Sequence, residues 1–209
     1  MKVRVSVVLF MLAFLLSGPM VVAQDEEMPR TVRVAVLLDG TIGADNLSWA
    51  FGRLGAAFSE ASRIFEKEFG IKFVITKFSA GLWFAPYDNF DVNIEMENLA
   101  QISFEETDVV VAFATKDFLG DVSIDVDGGW VPAKQKIGGR AMFKKALALV
   151  RIFPEEGYTE RILTHELGHI FGAGHMFDKN SVMNAEMIQT LTFDKKSKEE
   201  ILANRNRDF

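Results

Sequence analysis

The sequence predicts a single α/β domain in which a strand, a long helix and several further strands follow one another. A chain of 209 residues with 49% hydrophobic and 25% charged side chains can close one sizeable core. Residues 31–38 form a β-branched, apolar run that is typical of a buried strand. Residues 47–65 place apolar side chains three and four positions apart, which is the spacing of an amphipathic helix.

Local signals also predict where these elements start and stop. Asp45 or Asn46 is suited to cap the start of the long helix, and Gly70 is suited to end it. Further strands are predicted where apolar runs recur, at residues 71–78, 107–115, 137–143 and 146–153. Most of the 19 phenylalanines fall on these apolar faces, so we expect them to pack in the core.

Charge and cysteine content exclude several functional classes. The 23 Lys and Arg residues against 29 Asp and Glu residues give a net charge of -6, which disfavours nucleic acid as a partner. The chain contains no cysteine, so disulfides, thiolate metal sites and a nucleophilic thiol are excluded. Any chemistry must come from other side chains.

The first 23 residues have the pattern of a secretory signal peptide. A positively charged start precedes the apolar run 7–16, and small residues lead to a cleavage point after Ala23, with Gln24 as the first mature residue. An uncleaved membrane anchor over residues 5–23 is the alternative. Both interpretations place the domain, residues 24–209, outside the cytoplasm as a secreted or extracytoplasmic protein.

A second helix is predicted from a capping Thr159 to Phe171. On this helix, His165 and His169 lie about 40° apart on one side, while apolar residues cluster on the other. Two neutral imidazoles four residues apart on a helix can reach one metal ion. Glu166 lies between them, offset enough to sit beside the metal without binding it.

A third histidine follows the helix closely. Gly172 permits a turn, to which Gly174 adds freedom, and the turn can bring His175 back towards the other two. These three are the only histidines in the chain. A shared metal site therefore explains their spacing better than three unrelated core histidines.

The segment from His165 to His175, followed by Ser181-Val182-Met183-Asn184, resembles the long zinc motif and Met-turn of the metzincin metallopeptidases. The match is specific over residues 159–184 and topological elsewhere. The resemblance implies one catalytic zinc ion with three protein ligands, His165, His169 and His175. It further implies Glu166 as the general base for a zinc-activated water, and Met183 as support beneath the metal.

The resemblance also implies a fold and a class of substrate. It implies a mixed, mostly parallel sheet of about five strands with an antiparallel edge strand, and two long helices that include the zinc-binding one. A small C-terminal subdomain over residues 173–209 would follow an N-terminal subdomain over residues 24–172. A polypeptide substrate would lie extended along residues 138–143, and residues 184–189 would wall a side-chain pocket.

Three departures keep the subfamily unassigned. The residue after the third histidine is Met176, which matches none of the usual subfamily choices, and Ala185 replaces the tyrosine that some members carry after the Met-turn. The lack of cysteine excludes a matrixin-type cysteine latch and the thiolate site of an archaemetzincin. A small bacterial or archaeal member, matrixin-like or archaemetzincin-like, is the nearest description.

Several alternatives stay open from the sequence. The loop between the predicted strands 107–115 and 137–143 carries Asp121, Asp125 and Asp127, which could hold structural calcium, although a solvated turn is favoured. A catalytically inactive zinc-binding relative used for adhesion or partner binding would carry the same histidines. Imidazole ligands also suit iron, nickel or copper.

Overall fold

The computed structural model describes residues 28–126, 129–185 and 189–209. The predicted signal peptide and its alternative, the anchor, lie outside the described residues. The strands are, in chain order, β1 (Arg30–Leu38), β2 (Ile71–Ala80), β3 (Phe90–Asp91), β4 (Val109–Ala114), β5 (Phe118–Val126), β6 (Gly129–Ile137), β7 (Gly139–Met142) and β8 (Leu147–Arg151). The helices are α1 (Ala44–Phe69), α2 (Val92–Leu99), α3 (Tyr158–Ile170) and α4 (Lys195–Ala203).

Five of the strands form the main sheet in the order β2-β1-β4-β8-β7. The first four are parallel to one another, and β7 pairs antiparallel with β8 at one edge. This arrangement confirms the predicted mixed, mostly parallel sheet with an antiparallel edge strand. Near-continuous burial of β1, β4 and β8 explains why these strands appear in the sequence as unbroken apolar runs.

Helices cover the main sheet and divide the core into two layers. One buried cluster joins α1 and α3 to the sheet, and Phe65 lies within it against Phe69, Phe73, Phe171 and Phe193. A second cluster joins α2 and the segment around Trp83 to the sheet. The phenylalanines therefore pack as expected, in edge-on and tilted pairs.

The ends of α1 correct one prediction and confirm another. The helix begins at Ala44 with Gly43 in the capping position, so the predicted caps Asp45 and Asn46 lie inside its first turn. There the carboxylate of Asp45 is close to the positive end of the helix dipole. Gly70 ends the helix in the left-handed conformation, as predicted, and its N–H donates to Glu66 and Phe65 carbonyls.

The predicted loop between residues 115 and 137 is instead a hairpin. Strands β5 and β6 pair antiparallel from Phe118 and Ile137 to Val126 and Gly129, and β3 joins them in a second sheet. The hairpin is held partly by charge, since Lys134 on β6 pairs with Asp91 and Asp121. Polar residues alternate with apolar ones along β5, which hid the strand from a search for apolar runs.

The start of α3 also differs from the prediction. The helix begins at Tyr158 after Gly157, whose φ of 80° is left-handed. Thr159, the predicted cap, is buried inside the first turn, and its hydroxyl accepts a hydrogen bond from the Phe153 N–H at 2.9 Å. That bond ties the helix to the chain leaving β8. The helix ends at Ile170, one residue before the predicted end.

Among the described residues, no helix is long and apolar enough to cross a bilayer. The chain after α3 contains the turn around Met183 and then α4, whose N-cap Asp194 accepts a hydrogen bond from the Ser197 N–H. The division into subdomains at residues 172 and 173 stays a prediction.

Candidate metal centre

The three histidines converge at the C-terminal end of α3. His165 and His169 are one helical turn apart, and Gly172, with a φ of 89°, turns the chain so that His175 returns to them. The Nε2 atom of His169 lies 3.0 Å from each of the other two Nε2 atoms. The Nε2 atoms of His165 and His175 are 3.3 Å apart. Of the His, Asp and Glu side chains in the described ranges, only these three form a group that could hold a metal ion.

Backbone carbonyls fix which ring nitrogen faces the centre. The Nδ1 of His165 donates to the Val182 carbonyl at 2.7 Å, and the Nδ1 of His169 donates to the Ala173 carbonyl at 2.7 Å. Because a carbonyl only accepts, both rings carry their proton on Nδ1 and present a lone pair on Nε2. These inward lone pairs repel one another unless a cation lies between them.

The spacing of these nitrogens fits zinc. Three nitrogens bound to one zinc ion at about 2.0–2.1 Å with tetrahedral angles are about 3.3 Å apart. The observed Nε2 distances of 3.0–3.3 Å are close to that value. Neutral imidazole is also a preferred zinc ligand, and three such ligands leave a fourth position open for chemistry.

Burial keeps the imidazoles neutral. It lowers the pKa of His165 to about 3 and that of His169 to about 4, with the neighbouring histidines acting in the same direction. His175 is more exposed, yet desolvation of its ring also lowers its pKa, followed by the positive charge of Arg140. All three therefore remain available as metal ligands in neutral solution.

Glu166 is buried beside the histidines and lines the same cleft. Desolvation raises the pKa of its carboxyl to about 8, and the nearby charge of Arg140 opposes this shift only in part. Its Oε2 atom is buried without a hydrogen-bond partner among the described residues. A buried carboxyl oxygen without a partner is costly, so it is ready to bind a proton, a water or a substrate group.

Met183 is fully buried in the turn that follows the third histidine, and its sulfur lies against α3. A Cβ atom on Gly168 of α3 would lie 2.6 Å from the Met183 sulfur, so a larger residue there would require the sulfur to shift. The hydroxyl of Ser181 accepts from the Met183 N–H at 3.1 Å and donates to Asp194 at 2.6 Å. The same turn supplies the Val182 carbonyl that orients His165. The turn therefore packs against α3 through the Met183 sulfur, and the support of a metal site by Met183 stays a prediction. The role of Gly168 was not predicted from the sequence.

The cleft in front of the histidines has a volume of about 1230 Å³ and runs between α3 and the edge strand β7. Two glycines bring that strand close to the helix. A Cβ on Gly138 would lie 2.6 Å from Ile162, and a Cβ on Gly139 would lie 2.5 Å from Glu166 Oε1. The strand therefore passes directly beside the buried carboxylate. The sequence signal for this approach is the glycine pair itself, which lies near the start of the predicted strand 137–143.

The calcium alternative stays a prediction, since Asp121 is the only one of its three acidic residues whose side chain is described. The carboxylate of Asp121 is occupied by Lys134 at 2.8 Å and by the Asn93 amide at 2.6 Å. Asp125 belongs to β5, whereas Asp127 lies outside the described residues. Of the predicted pocket wall, residues 184, 185 and 189 are described, and Ala185 and Gln189 line the cleft.

Comparison with known proteins places this geometry in a family. The family model described as Matrixin matches residues 52–201, which is well over half of the chain. No curated protein sequence matches this chain closely enough to count as a relative.

Solved structures share the fold at low sequence identity. An archaemetzincin from Methanopyrus kandleri superposes with a TM-score of 0.58 at 21% identity, covering 85% of this chain and 97% of that one. Metalloproteinase-II from Bacteroides fragilis superposes with a TM-score of 0.52 at 11% identity, covering 85% of this chain and 53% of that one. The family match and the shared fold agree with the histidine geometry, and the chain belongs to the matrixin family of metzincin zinc metallopeptidases.

Proposed function

We propose that this metallopeptidase is a secreted endopeptidase in which His165, His169 and His175 hold one zinc ion and Glu166 is the general base. The observation that carries the proposal is the convergence of three neutral Nε2 atoms beside a buried carboxylate that lacks a partner. A structural metal site would need the nitrogens but not the carboxylate. The open cleft in front of them gives a substrate access.

When bound, zinc supplies a Lewis acid that activates water and polarises a peptide carbonyl. The chain supplies proton transfer, because Glu166 lines the same cleft as the three histidines and its Oε2 atom has no hydrogen-bond partner among the described residues. Its Oε2 atom accepts a proton from the attacking water and then donates that proton to the departing amine nitrogen. Burial alone raises the pKa of this carboxyl to about 8, and a cation held by the three histidines would lower it, so that the carboxylate is ionised and can accept the proton near pH 7.

The edge strand β7 offers a place for the peptide. It pairs with β8 on one side, and no strand in the described ranges pairs with its other side. An extended peptide can add there as a further strand through backbone hydrogen bonds. Because Gly139 passes beside Glu166, such a peptide would run past the proposed base.

The test is incubation of the zinc-loaded protein with a diverse peptide mixture, followed by mass spectrometry of the fragments. We expect cuts within peptides, abolished by a chelator and reduced about 100-fold or more by Glu166→Gln. Glu97→Gln is the matched control, because Glu97 is exposed on α2, away from the cleft. Stoichiometric zinc without any cleavage would instead favour the inactive binding protein.

Secretion follows from the leader pattern in the sequence and has its own test. Protein recovered from the culture medium of an expressing host should begin at Gln24. Recovery of the full-length chain in the membrane fraction would favour the uncleaved anchor.

A further inference from the structure

The charge lining the cleft differs from the charge of the whole chain. The chain has a net charge of -6, yet three cationic side chains line the cleft, Lys136, Arg140 and Arg161. The carboxylates lining it are Asp121 and Glu166. An acidic protein therefore presents a locally basic surface at its proposed catalytic centre.

Two of these five charges are already neutralised by neighbours. Lys136 forms an ion pair with Asp117, and Asp121 pairs with Lys134 at 2.8 Å. Within the described ranges, neither Arg140 nor Arg161 forms an ion pair. Besides the proposed base Glu166, the two arginines thus carry the unbalanced charge in the cleft.

Arg161 is held in a fixed orientation close to the proposed zinc ligands. It lies one helical turn before His165 on the same side of α3, which is about 6 Å along the helix axis. Its guanidinium carbon stacks 4.5 Å from the centre of the Tyr158 ring, and that ring also contacts Phe153. Stacking of this kind lowers the cost of ordering the guanidinium around a ligand.

One donor of Arg161 lacks a partner. Its Nε atom is buried and has no hydrogen-bond partner among the described residues. A buried guanidinium N–H without an acceptor is unfavourable, and a carboxylate is the acceptor that matches the guanidinium in two parallel hydrogen bonds. Because Arg161 also lines the cleft, the guanidinium is a favourable partner for an acidic side chain of a bound peptide.

Arg140 adds positive charge from the opposite wall of the cleft. It is exposed on β7 next to Gly139, the point at which the edge strand passes Glu166. It lines the same cleft as Glu166, His169 and His175. An acidic residue beside the scissile bond would be attracted by both arginines.

On the basis of the proposed function, we propose that the enzyme selects peptides with Asp or Glu beside the scissile bond. Arg161 is the specificity-determining residue that binds the carboxylate. Arg140 contributes a longer-range attraction. Successive residues of an extended peptide advance about 3.3 Å, so a side chain one or two residues from the bond can reach Arg161.

The test compares peptides that differ only in one residue next to the cut bond, which is Glu, Gln, Leu or Lys on either side. We expect kcat/KM for the Glu peptide to exceed that for the Gln peptide by about tenfold or more on one side of the bond. The same Glu and Gln peptides, fluorescently labelled, should show the same order of affinity for the Glu166→Gln protein, in which cleavage does not interfere.

Variants assign the preference to its residue. Arg161→Gln should bring the Glu-to-Gln ratio close to one, and Arg161→Glu should shift the preference to the Lys peptide. Arg161→Lys retains the positive charge but cannot form two parallel hydrogen bonds to a carboxylate. It should therefore keep part of the preference for the Glu peptide over the Gln peptide. Arg63→Gln is the matched control, since Arg63 is an exposed arginine on α1, paired with Glu60 and not among the cleft residues.

The outcomes separate this inference from the proposed function. If no peptide in the set is cut, both fail. Cleavage with equal kcat/KM for the Glu and Gln peptides overturns the selectivity alone. A Glu preference that persists unchanged in Arg161→Gln overturns the assignment to Arg161.

Discussion

Burial moves the pKa values of Glu166 and the three histidines in opposite directions. The folded protein keeps the imidazoles neutral below pH 6.5, where free histidines become protonated. In the metal-free protein, burial also keeps the Glu166 carboxyl protonated up to about pH 8, whereas its ordinary pKa is 4.5. The charge state of the centre therefore differs between the folded and the unfolded chain.

We predict that the stability of the metal-free protein is highest near pH 6.5 to 7. Below that range, unfolding takes up protons on the histidines, whose folded pKa values are lowered, so stability falls as pH falls. Above it, unfolding releases the Glu166 proton, because that folded pKa is raised, so stability falls as pH rises towards 8. The alkaline loss should be about 1–2 kcal/mol, measured by urea unfolding at each pH.

Glu166→Gln separates the loss of stability at acid pH from the loss at alkaline pH. Among Glu166 and the three histidines, Glu166 is the only group that titrates above pH 6.5, and the substitution removes it. The variant should keep the acid-side loss and lose the decline between pH 6.5 and 8. An unchanged alkaline decline in this variant would show that Glu166 is already ionised in the folded protein.

Gly139 is the residue at which a single methyl group should separate catalysis from metal binding. A Cβ there would lie 2.5 Å from Glu166 Oε1, so Gly139→Ala must displace the carboxylate. We expect kcat to fall about 100-fold while the zinc content stays unchanged. Gly52→Ala on α1, where a Cβ meets nothing within 4 Å, is the control and should leave both unchanged. Full activity in Gly139→Ala would contradict the placement of the base.

At the scale of elements, the C-terminal segment ties the metal-binding turn to the sheet. The guanidinium of Arg207 donates to the Ile170 carbonyl at 2.7 Å and to the Phe143 carbonyl at 2.9 Å. It thereby joins the end of α3 to the chain that follows β7. Arg30 of β1 donates to the Arg205 and Arg207 carbonyls and holds this segment in place.

We predict that Arg207→Ala loosens the turn between His169 and His175. The variant loses two charge-assisted hydrogen bonds, so the free energy of unfolding should fall by about 1–3 kcal/mol. Hydrogen exchange should become faster at residues 170–175 more than elsewhere. Arg63→Ala removes only a surface ion pair and should change stability by less than about 0.5 kcal/mol. Unchanged exchange at residues 170–175 would contradict the role of Arg207.

The main sheet could be predicted from the sequence, whereas the second sheet could not. Strands such as β4 are buried on both faces and therefore form continuous apolar runs. The β5–β6 hairpin is held in part by ion pairs with residues distant in sequence, such as Lys134 with Asp91. No local pattern encodes a contact of that range. The short helix α4 was not predicted, although Asp194 is a local capping signal before its helical run.

The histidine spacing could be predicted because all three residues lie within one helix and one turn. The groups that complete the site come from elsewhere in the chain. The Val182 carbonyl that orients His165 and the arginine of β7 near Glu166 reach it only through tertiary packing. The spacing of the histidines therefore predicts the metal ligands. The charges and hydrogen bonds around those ligands can be described only once the fold is known.

For the whole molecule, the three converging imidazoles couple metal binding to stability. The inward lone pairs of His165 and His169 repel each other, a bound cation relieves that repulsion, and the unfolded chain does not hold the three rings together. We predict that zinc at 100 times its dissociation constant raises the free energy of unfolding by about 2.7 kcal/mol. Thermal unfolding with and without chelator measures the difference. His169→Ala should unfold at the same temperature in both conditions, and a zinc-dependent shift in that variant would contradict the coupling.

The most direct test of the zinc site is the metal content of protein isolated from its host. Elemental analysis of the wild type should give about one zinc ion per chain, and His165→Ala, His169→Ala and His175→Ala should each reduce it strongly. Gly174→Ala, next to His175 but with open space around the added methyl, should retain the full content. A zinc content near zero in the wild type, or one unaffected by the histidine substitutions, would contradict the assignment of these three residues.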